Sequence, residues 1–183
     1  MKLRIALAQV NPTVGDLAAN AALVRENFKT AQEAGAHIVV FPEMVLTGYP
    51  VEDLALRPSF QIASQNALAE LAKSLTGKSV AIVGYLDQVD GAPQNMVAVI
   101  SDGVVSARYA KCHLPNYGVF DEFRNFVPGD KTLVVRIHGV DVGIAICEDL
   151  WIDGGITSQL AARKPGLVIV PNGSPYERNK DDV

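Results

Sequence analysis

Three strand-sized apolar runs in this chain each end on a reactive side chain. His37-Ile38-Val39-Val40-Phe41-Pro42 leads into Glu43, Val104 to Ala110 leads into Lys111, and Val142-Gly143-Ile144-Ala145-Ile146 leads into Cys147. Short apolar runs bounded by turn signals read as buried strands. Open α/β sheets build their sites at the C-terminal tips of such strands. A carboxylate, an ammonium and a thiol gathered at one edge suit acyl transfer through a covalent thioester.

The segments between these runs set the fold class. Asp16 is placed to cap a helix over 17–34, where Leu17, Ala21, Val24, Phe28 and Ala31 form one apolar stripe of helical period and Gly35 stands at the end. A second helix is expected over 59–76, with Phe60, Ala63, Ala67, Leu71 and Leu75 turned inward. Strands are expected at 3–10, 37–41, 79–87, 95–101, 104–110, 132–138, 140–146 and 167–171, with a turn at Gly91-Ala92-Pro93. Asp102-Gly103 is a two-residue hairpin signal, and His138-Gly139 links the next two strands as closely. Ile152, Ile156 and Leu160 mark a third helix. Alternating helices and strands combined with tight hairpins imply an α/β protein with mixed sheets.

Composition excludes several functions. A net charge of −4 without a Lys/Arg-rich run argues against nucleic acid, and every apolar stretch is far shorter than a membrane helix requires. Two cysteines do not make a disulfide framework, and a working thiol fits a reducing cytoplasm. No His/Cys/Asp spacing matches a metal site, so no metal is expected.

Longer words surround the three residues. Phe41-Pro42-Glu43 is followed by Thr47-Gly48-Tyr49-Pro50 and Glu52-Asp53-Leu54. Lys111 opens Lys111-Cys112-His113-Leu114-Pro115-Asn116-Tyr117-Gly118-Val119-Phe120-Asp121-Glu122, closed by Phe126-Val127-Pro128-Gly129. Cys147-Glu148-Asp149-Leu150-Trp151 and Pro171-Asn172-Gly173-Ser174-Pro175-Tyr176 complete the set. In this order they resemble the carbon–nitrogen hydrolases of the nitrilase superfamily, and within it the glutaminase domains of glutamine-dependent NAD synthetases. The resemblance implies a nitrilase-like four-layer αββα sandwich, two mixed sheets face to face with helices outside. Domains of that family continue with further strands and then a synthetase domain that binds ATP and Mg²⁺. Residues 1–183 are therefore expected to form one carbon–nitrogen hydrolase domain, C-terminally truncated and without its synthetase partner. The resemblance also implies a homo-oligomer.

The same resemblance makes Cys147 the nucleophile toward L-glutamine, Glu43 the general base and acid, and Lys111 the cation beside the oxyanion. Ammonia released here would serve the ATP-dependent amidation of deamido-NAD to NAD. A free thiol ionises only near about pH 8.5, and a neighbouring cation is expected to lower that for Cys147. The family pattern places glutamine binding on Tyr117, Ser174 and Lys180, while chemistry alone suggests Glu148 for the α-ammonium. Phe120 and Trp151 are expected as pocket walls or core. Cys112 would point away from Lys111 along a continuing strand, and neither it nor His113 is given a role. The alternative is a stand-alone nitrilase-type amidase or carbamoylase, which would share Glu43, Lys111 and Cys147 but have no need of the words at 49–54 and 174–176.

Overall fold

The computed structural model describes residues 2–176 and 178. Among them, helix α1 (Leu17–Glu33) begins where the Asp16 carboxylate accepts a hydrogen bond from Ala19 N, and it ends before Gly35 in the left-handed region. Helix α2 (Pro58–Ser74) has proline in its first turn, where no amide donor is needed. Its buried face runs through Gln61, Ser64, Leu68, Leu71 and Ala72, so the expected stripe through Ala63 and Ala67 is only half covered. Ring packing draws Phe60 toward a separate cluster with Met44, Val51 and Leu86.

Strands β1 (Ile5–Leu7), β2 (Ile38–Val40), β3 (Val80–Val89), β4 (Ala92–Ser101) and β5 (Val104–Ala110) form one sheet in that order. β1, β2 and β3 are parallel, and β3, β4 and β5 are antiparallel. Strands β6 (Leu133–Ile137), β7 (Val140–Ile144) and β8 (Leu167–Ile169) form a second mixed sheet. The β4–β5 hairpin turns on Asp102 and Gly103, at φ of 46° and 81°, which is the geometry that a two-residue turn of this hand demands. The β3–β4 turn falls on Asp90-Gly91 instead of Gly91-Ala92-Pro93, and Pro93 pairs with Gln88 inside the ladder. β1 is shorter than its apolar run, and its last residue, Leu7, pairs with Val40 while its side chain faces outward and is exposed.

Alternation along β3 shows the layering. Ala81, Val83 and Tyr85 pack with Val24 and Phe28 of α1 and Leu68 and Leu71 of α2. Val80 and Ile82 face the other way, into a core shared with Ile137, Val142, Ile144 and Ile169 of the second sheet. Burying each such side chain stabilises the fold by about 1.5–3 kcal/mol. Helix α4 (Ile156–Ala162) closes the second sheet, with Leu160 over Gly143. The order is helices, sheet, sheet, helix. Ile152 precedes α4 and stays outside it. No helix among the described residues is long and apolar enough to cross a membrane.

Candidate active site

Glu43 follows β2, Lys111 directly follows β5, and Cys147 opens a short 3-10 turn after β7. All three are buried. The sheets fix them through their backbones: Glu43 N donates to Asn172 O at 3.3 Å, Lys111 N to Asn95 O at 2.9 Å and Cys147 N to Pro171 O at 3.0 Å. Cys147 sits at φ 41°, a conformation that L-residues seldom adopt, and it lifts the thiol off the strand direction at a sharp elbow.

The side chains converge. Lys111 Nζ lies 2.8 Å from Glu43 Oε1 and donates at 2.9 Å to Glu122 Oε1. Asn95 Nδ2 donates to Glu43 Oε1 at 2.7 Å, and the Gly173 amide donates to Glu43 Oε2 at 2.9 Å. Tyr49 OH donates to the same Glu122 Oε1 at 2.8 Å. Ser174 Oγ lies 3.5 Å from Cys147 Sγ. Tyr117 OH donates to Glu148 Oε2 at 2.8 Å, which places two of the glutamine-binding expectations in one contact. Lys180 lies outside the described residues.

Burial by itself pushes the Lys111 ammonium down, but the Glu43 and Glu122 carboxylates outweigh it and hold the group above its ordinary value. Burial pushes the Glu122 carboxyl up against the pull of Lys111. The Cys147 thiol is also pushed up, to about 11, first by burial and then by the Glu43 carboxylate, with Ser174 and Lys111 opposing. This corrects the expectation of a cation-activated thiolate. The nearest cation is already spent on two carboxylates, so the resting sulfur keeps its proton and ionises only when a base removes it. The hydrogen bond to Glu148 and then burial raise the Tyr117 phenol to about 12.

Three groups of this site carry no signal of period or strand end. Glu122 lies in helix α3 (Glu122–Asn125) and was legible only as the last letter of the word that Lys111 opens. Asn95 is hidden inside β4, and Tyr49 in an irregular loop. Trp151 is 59% exposed, so it is no core residue here, whereas Phe120 stands edge-on to Tyr117 with ring centroids 5.6 Å apart. Cys112 Sγ accepts from Tyr109 OH at 3.5 Å, and the residue lines the cavity beside Tyr117 and Glu148. A cavity of about 780 Å³ opens beside Tyr117 and Glu148, walled by His113, Pro115, Phe123 and Phe126.

Comparison with known proteins places this geometry. The carbon–nitrogen hydrolase family model matches residues 4–180. The chain is 40% identical over 182 residues to a glutamine-dependent NAD(+) synthetase of Thermotoga maritima, covering 98% of this chain and 31% of that protein. Against a protein of the same description from Xylella fastidiosa it is 43% identical over 181 residues, covering 97% and 33%. It spans about a third of the length of these curated relatives. Among solved structures, the glutamine-dependent NAD+ synthetase of Acinetobacter baumannii in complex with ADP superposes with a TM-score of 0.93 at 38% identity, over 98% of this chain and 34% of that one. An amidase from Nesterenkonia shares the fold, with a TM-score of 0.82 at 24% identity over 98% and 68%.

Proposed function

The chain belongs to the carbon–nitrogen hydrolase family, and on that premise we propose that it hydrolyses the side-chain amide of L-glutamine through a thioester on Cys147. The observation that carries the proposal is the buried Glu43–Lys111 pair at 2.8 Å, set at the strand tips beside a protonated thiol. Glu43 takes the sulfur proton as Sγ adds to the carboxamide carbon. Lys111 stands beside the developing oxyanion, where a charged donor in a dry site can contribute several kcal/mol. Glu43 then returns the proton to the leaving nitrogen, ammonia departs, and the same carboxylate activates water against the thioester. Glu122 holds Lys111 from the opposite side.

The contact between Tyr117 and Glu148 supports an amino-acid substrate. A half-exposed phenol and a buried carboxylate on the cavity wall offer an anionic partner for the α-ammonium of glutamine, and Ser174 adds a hydroxyl next to the sulfur. A simple aliphatic amide would offer Glu148 no cation, leaving it only the Tyr117 hydroxyl, which sets the stand-alone amidase reading behind. The relatives are described as glutamine-dependent NAD(+) synthetases, and we propose on that likeness that the ammonia amidates deamido-NAD at a synthetase portion using ATP and Mg²⁺, in a cytoplasmic homo-oligomer.

Glutamate release and NAD formation by the full-length gene product test this reading. Cys147→Ala is expected to abolish NAD formation from glutamine by at least about 1,000-fold while free ammonium still supports it. Equal loss with both nitrogen sources would contradict the division of labour.

A further inference from the structure

The three site residues form a triangle, and the structure shows what closes two of its sides. The segment after β8 links Glu43 to Cys147, since Pro171 O accepts from Cys147 N at 3.0 Å while Asn172 O and the Gly173 amide both bind Glu43. The ion pair at 2.8 Å links Glu43 to Lys111. The side between Lys111 and Cys147 has no such direct contact among the described residues. It is spanned instead by Asp149, whose side chain is wholly buried.

Asp149 Oδ1 accepts from Cys112 N at 3.1 Å and His113 N at 2.8 Å, the two amides immediately after Lys111. Oδ2 accepts from Ile146 N at 2.9 Å, the residue before Cys147, and from Tyr109 OH at 2.7 Å on β5. The His113 ring adds Nδ1 at 3.1 Å from Oδ1. An Asp that merely capped the turn at 147–150 would need the Ile146 amide alone. The other donors come from the segment that carries Lys111, on the other sheet. Each oxygen therefore grips one or both of the two segments, and a rigid carboxylate group fixes their spacing.

We propose that Asp149 is a positioning residue for the reaction: it sets the distance between the Lys111 ammonium and the Cys147 thiol by tying the backbone on either side of the gap. This rests on the reading of Cys147 as nucleophile and Lys111 as oxyanion partner. Asp149 touches neither substrate nor reacting atoms. Replacing it with Asn keeps the volume but turns one acceptor into a donor, facing amide or hydroxyl donors that then have no acceptor. The elbow and the lysine segment drift relative to one another, and a misplacement of about 1 Å is expected to slow the chemistry on the order of 100-fold.

The experiment uses the full-length gene product with two acyl donors: L-glutamine, read as glutamate release, and p-nitrophenyl acetate, read as the p-nitrophenol burst above the Cys147→Ala background. Asp149→Asn is expected to lower both kcat and burst rate about 100-fold with KM changed less than about fivefold. The unsatisfied donors should lower the melting temperature by only a few degrees, leaving the protein folded at the assay temperature. A purely structural role predicts instead that activity falls only where the variant unfolds, and is recovered on cooling. Wild-type rates on both donors in folded Asp149→Asn, or losses that follow the melt, overturn the proposal. Should Asp149→Asn fail to fold, Tyr109→Phe decides alone. It removes one donor from Oδ2 and keeps the ring, so a drop of about 3- to 10-fold in kcat and burst at unchanged KM and melt supports the proposal, and wild-type rates overturn it. A wild type that bursts with the ester yet never releases glutamate would overturn the glutamine reading and leave Asp149 to be judged on the burst.

Discussion

In the proposed reaction Cys147 is a nucleophile that its own surroundings keep protonated. Burial and the Glu43 carboxylate push its thiol up to about 11, and the Lys111 charge that would lower it is shared between Glu43 and Glu122. Glu43 therefore has two opposite effects on the sulfur under the proposed mechanism: it disfavours the free thiolate and would be the base that removes the proton during attack. Removing its charge as Glu43→Gln separates them. The thiol should ionise at lower pH, because the second-largest upward push is gone and Lys111 is then less compensated. Iodoacetamide labelling of Cys147, followed by peptide mass spectrometry, should rise steadily through pH 9 in the wild type and shift to lower pH in Glu43→Gln. Glutamate release by that variant should nonetheless fall about 100- to 10,000-fold, the usual worth of a positioned general base. An unshifted labelling profile, or one moved to higher pH, would show that the Glu43 charge does not govern the thiol.

Each reactive residue stands just past the end of a strand, so the elements beneath them set the precision of the site. Gly84 on β3 lies directly under the turn that carries Glu43. A Cβ there would come within 2.7 Å of Pro42 O and 2.9 Å of Glu43 C, and closer still to Met44 N. These are backbone atoms and cannot swing aside. Gly84→Ala is expected to cost about 1–3 kcal/mol in stability through overpacking. It should also displace Glu43 enough to cut turnover on the order of 100-fold. A thermal melt run beside a glutamate assay checks both, and full turnover with an unchanged melt would mean that the Glu43 turn is held elsewhere. The elements themselves were largely legible, since strand tips and hairpins follow from apolar runs and from pairs such as Asp102-Gly103. Their ends were not. The first apolar run extends past Leu7 but the strand stops there, and α2 buries Gln61 and Ser64 because a packed neighbour, not the apolar stripe, decides its face.

At the scale of the whole molecule, two mixed sheets bury one core between them and bring Glu43 and Lys111 from the first to meet Cys147 from the second. The sequence marked these three because each ends an apolar run. It could not mark Glu122, Asn95 or Asp149, whose roles depend on contacts 11, 52 and 37 residues away and leave no period in the chain. The thiol's resting state was misread for the same reason: one lysine near a cysteine suggests activation, but two carboxylates around that lysine reverse it. The central claim is that glutamine is cleaved through a bond to Cys147. Acid-quenching the full-length protein within a single turnover of L-glutamine and mapping its peptides by mass spectrometry tests this directly. The account predicts that the Cys147 peptide gains the mass of glutamine less ammonia, that hydroxylamine removes the adduct, and that Cys112 stays unmodified. Glutamate released at full rate with no adduct on Cys147 at any quench time, or an adduct on Cys112, would contradict it.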